Sequence, residues 1–314
     1  MLALVHDPHA PGLLRLGDAP DPIAEPTQAV IDVAAVSFNF GEIAYRSALT
    51  RPGHVSGWDA AGVVARPAAD GSGPPAGTRV VTFGWSGAWA ERRAVHTSEL
   101  AVVPDGVDLG TASALPVAGV TALQATRRLG SILGRRVLIT GASGGVGRFA
   151  VQLAAMAGAH VIASVGSPAR AEGLRALGAA EIVLGPTELT APVHGVLDNV
   201  GGSQLAEAFN RLEDDGVALA IGKASGEPTL IDFERARTTS ARGRLENFNV
   251  STPFGDDLAY LLRLLQARRL DPQIGWRGPW TSAADAADAL LSRRVRGKAV
   301  LDLVPNPGFT TGSA

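Results

Sequence analysis

The stretch "ITGASGGVGRFAVQLA", residues 139 to 154, is the feature that most constrains the fold. Its glycines stand between a β-branched run and an alanine-rich amphipathic run, so a tight turn is expected to join a strand to a helix. The strict dinucleotide-binding pattern G-x-G-x-x-G is not met, because Ala142 stands where its first glycine would. The turn therefore predicts either a nucleotide site or a purely structural bend. The sequence on either side of the turn distinguishes these two interpretations.

The surroundings of this turn alternate strands with helices. From residue 117 the runs include "RRVLIT", "GVGRFAVQLAAMAG", "HVIASV", "SPARAEGLRALG", "EIVL", "SQLAEAFNRLEDD" and "GVALAIG". This rhythm predicts crossover units and a Rossmann-type, doubly wound parallel sheet of about six strands. A glycine turn after the first strand of such a sheet lies where a dinucleotide pyrophosphate binds, because backbone amides and a helix N-terminus meet there.

The flanking segments have a different texture. Before residue 117, short β-rich runs such as "AVIDVAAVSF", "AAGVVARP" and "TRVVTFGW" are broken by Pro and Gly, as in an irregular all-β domain. After residue 255 come two amphipathic runs and a last strand, "KAVLDLV". The tail "PNPGFTTGSA" is expected to be disordered.

Composition removes several classes of function. The chain has 28 basic and 30 acidic residues and no basic block, which argues against nucleic-acid or anionic-membrane binding. It has no cysteine, which excludes disulfides, thiolate nucleophiles and cysteine-ligated metals. No run is apolar for the ~18 residues of a membrane span, and the start does not resemble a signal peptide. We expect a cytoplasmic protein with a small-molecule substrate.

The end of the second strand indicates which dinucleotide binds. In NAD sites an acidic residue about 20 residues beyond the turn binds the ribose hydroxyls. Here Ser164, Ser167 and Arg170 occupy this region, and Glu172 is its first acid. Hydroxyls and a guanidinium suit a 2′-phosphate that a carboxylate would repel, so NADPH is predicted. Alternatively, Ser167 only caps a helix that begins at Pro168.

Eight ordered motifs resemble the medium-chain dehydrogenase/reductase family, in its zinc-independent, quinone-oxidoreductase-like (enoyl reductase-like) branch: "SFNFGEIAYRS", "GWDAAGVV", "AGTRVVTF", "GAWAERRAV", "AGVTALQAT", "GASGGVG", "LDNVGG" and "GKAVLDL". The resemblance implies a GroES-like, β-rich catalytic domain over 1–116 and 256–314, a Rossmann domain over 117–255, and an active site in their cleft. It also implies NADPH-dependent reduction of quinones or of double bonds conjugated to a carbonyl, and we expect a homodimer.

The resemblance assigns roles to individual side chains. Asn39 matches an asparagine near the nicotinamide, and Asn39 and Tyr45 are the candidates for polarising the substrate carbonyl and delivering a proton, with solvent as a competitor for the proton. Trp58 and Trp85 are expected to wall the substrate cleft. For Tyr45 and both tryptophans, ordinary aromatic packing is the alternative.

Further residues are expected to bind the cofactor, either by resemblance or because they follow strand ends. They are Thr121, Gly141, Ser143, Gly144, Gly145, Val146, Gly147, Ser164, Ser167, Arg170, Asn199, Gly222, Phe248, Asn249 and Arg293. Two positions depart from the family. A tyrosine that some relatives use on the 2′-phosphate falls at Gly185, and the tyrosine of enoyl-thioester reductases falls at Thr50.

The zinc-binding motif of other relatives is also altered. Those relatives use a cysteine and the histidine of a "GHE" motif. Aligning "GWDAAGVV" with that motif puts Trp58 at the ligand position and leaves His54 four residues early. We therefore expect His54 to be a loop residue and the protein to hold no metal.

Three functions remain open from the sequence. The first is an NADPH-dependent quinone or enone reductase. The second is a specialised biosynthetic enoyl or ketone reductase that acts on a carrier-bound or polycyclic intermediate. The third is a non-catalytic NADPH-binding sensor or structural protein.

Overall fold

The computed structural model describes residues 1–45, 51–239 and 242–303. Thr50 and the tail "PNPGFTTGSA" lie outside the described residues. Among the helices of the described ranges, none has both the length and the apolar character that a bilayer crossing requires.

The secondary-structure elements are given in chain order. The first are β1 (Leu2–His6), β2 (Leu14–Asp18), β3 (Gln28–Phe38), α1 (Phe40–Ala44), β4 (Asp59–Arg66), β5 (Arg79–Phe83), β6 (Arg92–His96), β7 (Leu100–Val102), α2 (Leu109–Ser113) and α3 (Pro116–Arg128). Next are β8 (Arg136–Ile139), α4 (Gly145–Met156), β9 (His160–Ser164), β10 (Glu181–Val183), β11 (Val193–Asp198), α5 (Gly202–Phe209), β12 (Leu212–Ala220), α6 (Phe233–Thr239) and β13 (Arg244–Asn247). The last are α7 (Gly255–Gln266), β14 (Ile274–Pro279), α8 (Ala283–Leu291) and β15 (Lys298–Asp302).

The chain divides into two compact units. The first unit contains Met1–Val120 and the chain from Thr252 onward, and the second contains Thr121–Ser251. The second unit is therefore inserted into the sequence of the first.

The second unit is built on a parallel sheet. In the described ranges its strand order is β10-β9-β8-β11-β12-β13, and every neighbouring pair is parallel. The central residues Val137, Leu138 and Ile139 of β8 have no exposed surface, as expected for a strand covered on both faces. The predicted six-stranded Rossmann-type sheet is confirmed.

The expected helix over "PARAEGLRAL" is wrong. Only a 3-10 turn forms there, over Pro168–Ala171. Gly173 and Gly178 adopt φ angles of +79° and +110°, which interrupt any regular helix. The side chain of Ser167 makes no capping hydrogen bond, so helix capping does not describe its role.

The helical run in "SQLAEAFNRLEDD" is shorter than its pattern indicates. Helix α5 ends at Phe209, and β12 begins at Leu212, which pairs with Val193 of β11. Leu212 is fully buried in the same apolar cluster as Phe209 and Val193. Burial in the core of the sheet therefore overrides the local helical pattern.

The first unit contains a sheet that joins distant parts of the chain. Its order is β14-β15-β3-β4-β5-β7, with β6 also pairing with β3, while β1 and β2 form a separate pair. Strand β15 runs antiparallel to β3, from Ala299 opposite Phe38 to Asp302 opposite Ala35. The GroES-like, β-rich unit expected from the sequence is confirmed, and its sheet includes strands from the C-terminal part of the chain.

One buried arginine ties together three parts of the first unit. The Arg277 side chain, only 6% exposed, donates to Asp302 from Nε and Nη2 at 2.8 Å each. It also donates to Asp108, at 2.6 Å from Nη1 and 3.2 Å from Nη2. Asp108 in turn accepts the Thr111 N–H at 2.8 Å and caps α2. Strands β14 and β15 are thereby attached to the start of α2.

Replacing Arg277 should destabilise the protein. Arg277→Met leaves two partly buried carboxylates without their partner, and we expect the free energy of unfolding to fall by about 3 kcal/mol. The matched control is Arg235→Met, because Arg235 pairs with Glu207 on the surface and its loss should change the free energy of unfolding much less. Urea unfolding followed by tryptophan fluorescence measures both. Equal losses in the two variants would contradict this account.

Candidate functional site

The glycine turn joins β8 to α4 and packs against the end of β9. Gly144 N donates to Gly141 O at 3.0 Å, and Ala142 N donates to Ser164 O at 3.1 Å. A Cβ built on Gly147 would lie 2.7 Å from Ala142 Cα, so only glycine allows α4 to start this close to the turn. A helix that begins here presents its first N–H groups at the carboxyl edge of the sheet, where an anion can bind. The other predicted residues of the turn lie within it or in the first turn of α4: Ser143, Gly145 and Val146.

A buried polar group beside the turn has an unused acceptor. Asn199 Nδ2 donates to Thr140 O at 2.9 Å, and its backbone N–H donates to Thr140 Oγ1 at 3.0 Å. Thr140 Oγ1 donates to Asp198 at 2.5 Å, and burial raises the pKa of that carboxyl. Asn199 Oδ1 is buried and, within the described ranges, accepts no hydrogen bond. Since buried acceptors are normally satisfied, a ligand N–H or O–H would complete this group.

Polar side chains follow the end of β9. Ser164 is buried, Ser167 and Arg170 are half-buried, and a Cβ built on Gly166 would meet nothing within 4 Å. Two hydroxyls and a guanidinium thus follow the strand next to the glycine turn. This donor set fits a phosphorylated ribose, and it contains no carboxylate.

The remaining cofactor predictions fall on both units. Gly222, Phe248 and Asn249 follow the carboxyl ends of β12 and β13, and Thr121 is buried in α3. Arg293 is exposed, follows α8 and belongs to the first unit. The roles of these residues stay predictions.

In the first unit, four buried side chains form a cluster, here named the Asn39 cluster: Asn39, Glu42, Asp59 and Lys298. Asn39 Nδ2 donates to Glu42 Oε2 at 2.8 Å and to Asp59 Oδ2 at 2.9 Å. Lys298 Nζ donates to Asn39 Oδ1 at 2.6 Å and to Phe38 O at 3.0 Å, and lies 3.3 Å from Asp59 Oδ2. The amide of Asn39 is therefore held from both ends by charged groups.

The carboxylates of the cluster organise the surrounding backbone. Asp59, with no exposed surface, accepts the Ser37 hydroxyl at 3.0 Å and the Val117 N–H at 3.1 Å. Glu42 accepts the Trp58 N–H at 2.7 Å. Two carboxyl groups thus bind groups from four elements. These are the end of β3, the start of β4, helix α1 and the start of α3.

Burial shifts the pKa of Glu42 in this cluster and the pKa of Arg93 beside it. Burial, followed by the charge of Asp59, raises the pKa of Glu42 to about 8, against the lowering effect of Asn39 and Lys298. Burial also lowers the pKa of Arg93, whose Nη1 donates to the Trp58 carbonyl at 3.0 Å, to about 10. Glu42 is thus easier to protonate than an exposed glutamate.

Aromatic side chains lie at the end of α1, just before β4 and at the end of β5. Tyr45 ends α1 and is 40% exposed. The ring of Trp85, 60% exposed, stands edge-on to Trp58 at 5.5 Å and to Phe83 at 4.9 Å. Core packing does not describe Trp85, because most of its surface is open. Its role in a substrate cleft, like that of Trp58, stays a prediction.

The loop before β4 carries the residues considered for zinc. His54 lies in an exposed loop, as expected, and the alignment of Trp58 with the family's histidine ligand stays a prediction. In the part of the chain that the structure describes, no group of three or more His, Asp or Glu side chains is arranged to hold a metal ion. That the protein holds no metal stays a prediction.

Sequence reasoning missed the charged partners of Asn39. Glu42 lies three residues after Asn39, the spacing of a capping box. Asp59 and Lys298 are charged residues at the first positions of the apolar strands β4 and β15. A charge at the start of an otherwise buried strand was the available signal. Its partners, however, lie up to 259 residues away.

Two family models match separate parts of the chain. One, described as "Alcohol dehydrogenase GroES-like domain", matches residues 25–105. The other, described as "Zinc-binding dehydrogenase", matches residues 145–267. The first match lies in the β-rich unit, and the second contains the glycine turn.

Two curated relatives share about a third of their aligned residues with this chain. The erythronolide synthase of Saccharopolyspora erythraea is 33% identical over 308 residues, which are 91% of this chain and 8% of the synthase. The acrylyl-CoA reductase of Ruegeria pomeroyi is 34% identical over 55% of this chain and 57% of the reductase. The chain thus spans less than two thirds of either relative.

A solved structure matches nearly the whole fold. The quinone oxidoreductase from Coxiella burnetii superposes with a TM-score of 0.84 and 26% identity, covering 97% of this chain and 99% of that one. The order of the β-rich and Rossmann-type units, the glycine turn and these similarities lead to one assignment. The chain belongs to the medium-chain dehydrogenase/reductase family, among its quinone-oxidoreductase-like members.

Proposed function

We propose that the protein is an NADPH-dependent reductase that transfers hydride to a quinone or an α,β-unsaturated carbonyl compound without zinc. The observation that carries this proposal is the glycine turn, where the Gly147 position excludes any side chain and α4 begins at the edge of a parallel sheet. Its catalytic domain would comprise residues 1–116 and 256–314, and its cofactor domain residues 117–255.

The residues of the second unit fit a nicotinamide dinucleotide. The first N–H groups of α4 would bind the pyrophosphate. Asn199 Oδ1, buried without a donor in the described ranges, would accept from the cofactor. Ser164, Ser167 and Arg170 would hold a 2′-phosphate, which favours NADPH over NADH. When bound, NADPH supplies a hydride from C4 of its nicotinamide.

The substrate oxygen that becomes negative during reduction needs a hydrogen-bond donor. The Nδ2 group of Asn39 already donates hydrogen bonds to Glu42 and Asp59. Asn39 would have to break one of these two hydrogen bonds to donate to a substrate. Tyr45 is 40% exposed and does not belong to the Asn39 cluster. We therefore assign Tyr45 as the first candidate for polarisation and proton delivery.

The protonation state of Glu42 affects how firmly Asn39 is held. A neutral carboxyl accepts a hydrogen bond less strongly than a carboxylate does. While Glu42 is protonated, the N–H that Asn39 donates to it is easier to turn towards a substrate. Asn39 is therefore a better donor below the Glu42 pKa than above it.

A second substrate class is favoured by the comparisons. One curated relative is named as an acrylyl-CoA reductase and the other as an erythronolide synthase. An α,β-unsaturated thioester has the conjugated carbonyl that the proposed hydride transfer requires. Carrier-bound thioesters are thus the second candidate substrates.

Turnover with a substrate panel tests the proposed function. We expect the protein to oxidise NADPH in the presence of some quinones, enones or unsaturated thioesters, and NADH more slowly. Absorbance of the reduced nicotinamide measures the rate. Elemental analysis should find no stoichiometric zinc, and chelators should leave the rate unchanged. Binding of NADPH without oxidation by any member of the panel would instead indicate a binding protein, and zinc-restored activity would refute the zinc-free mechanism.

The size of the effect of Tyr45→Phe separates catalysis from packing. If Tyr45 delivers the proton, single-turnover hydride transfer should slow by more than about a hundredfold. A hydrogen bond used only in binding would cost about 1 kcal/mol, or several-fold. The control is Tyr260→Phe, since Tyr260 on α7 is the chain's other tyrosine. A loss below threefold would leave Tyr45 as a wall residue.

The stability of the protein should fall as pH rises from the unfolded pKa of Glu42 to about 8. Glu42 binds its proton more tightly in the folded state, with a pKa of about 8, than in the unfolded chain. The contribution of Glu42 to the free energy of unfolding is thus complete below its unfolded pKa. It decreases by at most about 1.4 kcal/mol per pH unit above that pKa and is lost above about 8. Urea unfolding between pH 5 and 9 (roughly the stable range) measures it. Glu42→Gln should show a flatter profile, and identical profiles would show that Glu42 stays ionised.

A further inference from the structure

Arg148 is a buried charge beside the glycine turn. It is the fourth residue of α4, directly after Gly147, and is 4% exposed. A cation near a helix N-terminus opposes the positive end of the helix dipole. Burial of a guanidinium also requires hydrogen-bond acceptors for its N–H groups. Stability alone does not favour an arginine at this position, so its contacts indicate what it does.

The guanidinium reaches from the turn to the loop after β9. Arg148 Nη2 donates to Glu172 O at 2.8 Å, and Nε donates to Ser143 O at 3.3 Å. A Cβ built on Gly173 would lie 3.4 Å from Nη1, so the loop backbone passes close to the charge. One side chain therefore connects the proposed pyrophosphate turn to residues 166–173, here named the β9 loop.

The β9 loop has little regular structure of its own to hold it. It contains one 3-10 turn, over Pro168–Ala171, and the backbone of Gly173 is left-handed. The buried Val165 and Leu174 anchor its two ends. Between these anchors lie Ser167 and Arg170, the residues proposed to bind the 2′-phosphate. The contact from Arg148 to Glu172 O fixes the second half of this loop.

We propose that Arg148 is a positioning residue that sets the NADPH preference. By bonding both Ser143 O and Glu172 O, it keeps the β9 loop at one distance from the glycine turn. Arg170 is then in position before the nucleotide binds. Because the loop does not have to become ordered on binding, no binding free energy is lost to that ordering. This inference rests on the proposed NADPH-dependent function.

Binding of nucleotide fragments to the intact protein tests the role of Arg148. The probes are 2′,5′-ADP, ADP and reduced nicotinamide mononucleotide, measured by calorimetry. For Arg148→Met, which keeps an unbranched side chain but removes the guanidinium, we expect the Kd of 2′,5′-ADP to rise by about tenfold, the scale of ordering one or two side chains. The Kd of ADP should rise less, and that of the mononucleotide should not change. Hydrogen exchange should increase in the β9 loop.

Two further variants distinguish positioning from charge and from general structure. Arg148→Lys keeps the charge but cannot bridge both carbonyls, so it should resemble Arg148→Met, and full rescue by lysine would overturn the proposal. In an Arg170→Ala background the effect of Arg148→Met on 2′,5′-ADP should disappear, because Arg148 acts through Arg170. Arg235→Met is the surface control. If Arg148→Met does not fold, Arg148→Lys carries the test.

The outcomes separate this inference from the proposed function. If the wild-type protein binds neither NADPH nor 2′,5′-ADP, the proposed function fails. If it binds both and Arg148→Met binds 2′,5′-ADP equally well, only the role of Arg148 is refuted. Equal weakening of all three probes, together with a lower melting temperature, would show a structural role and overturn the proposal as well.

Discussion

The contact of Lys298 with Asn39 and Asp59 is the interaction on which the first unit depends. The ammonium group of Lys298 is 2% exposed and has three acceptors within 3.3 Å. A buried ammonium without such partners would cost several kcal/mol. Strand β15 can therefore lie beside β3 only where these acceptors are in place. Strand β15 and the residues just before α1 thus stabilise each other's positions. As a result, Asn39 is held in one orientation.

Two parts of the molecule, first the Asn39 cluster and second the glycine turn, are built by opposite means. Around Asn39, side chains fill the space and each polar atom of its amide has a charged partner. At the glycine turn, the absence of side chains is the requirement, because a Cβ at Gly147 has no room. A substitution harms the first part by leaving a charge unpaired and the second by steric overlap. The first part therefore depends on matched sets of residues, and the second on backbone shape.

The sequence was informative where the signal is local. The glycine turn and the apolar strands of the parallel sheet lie within short segments, and their pattern predicted both. The helix over "PARAEGLRAL" was mispredicted because Gly173 and Gly178 take left-handed conformations that its apolar spacing did not reveal. Lys298 and Arg148 could not be interpreted, since a lone charge in an apolar run has no meaning until its partner is known. For Lys298 that partner is 259 residues away.

The pairing of β15 with β3 has a consequence for synthesis on the ribosome. All strands of the inserted unit emerge before β15 does, so the nucleotide-binding sheet can form while the first unit still lacks a strand. Lys298 follows Phe38 by 260 residues, which at about 5–20 residues per second means roughly 10–50 seconds of translation. During that time the edge of β3 has hydrogen-bonding groups with no neighbour, and the nascent chain is open to pairing with other strands. The first unit can therefore be completed only after the whole inserted unit has been synthesised.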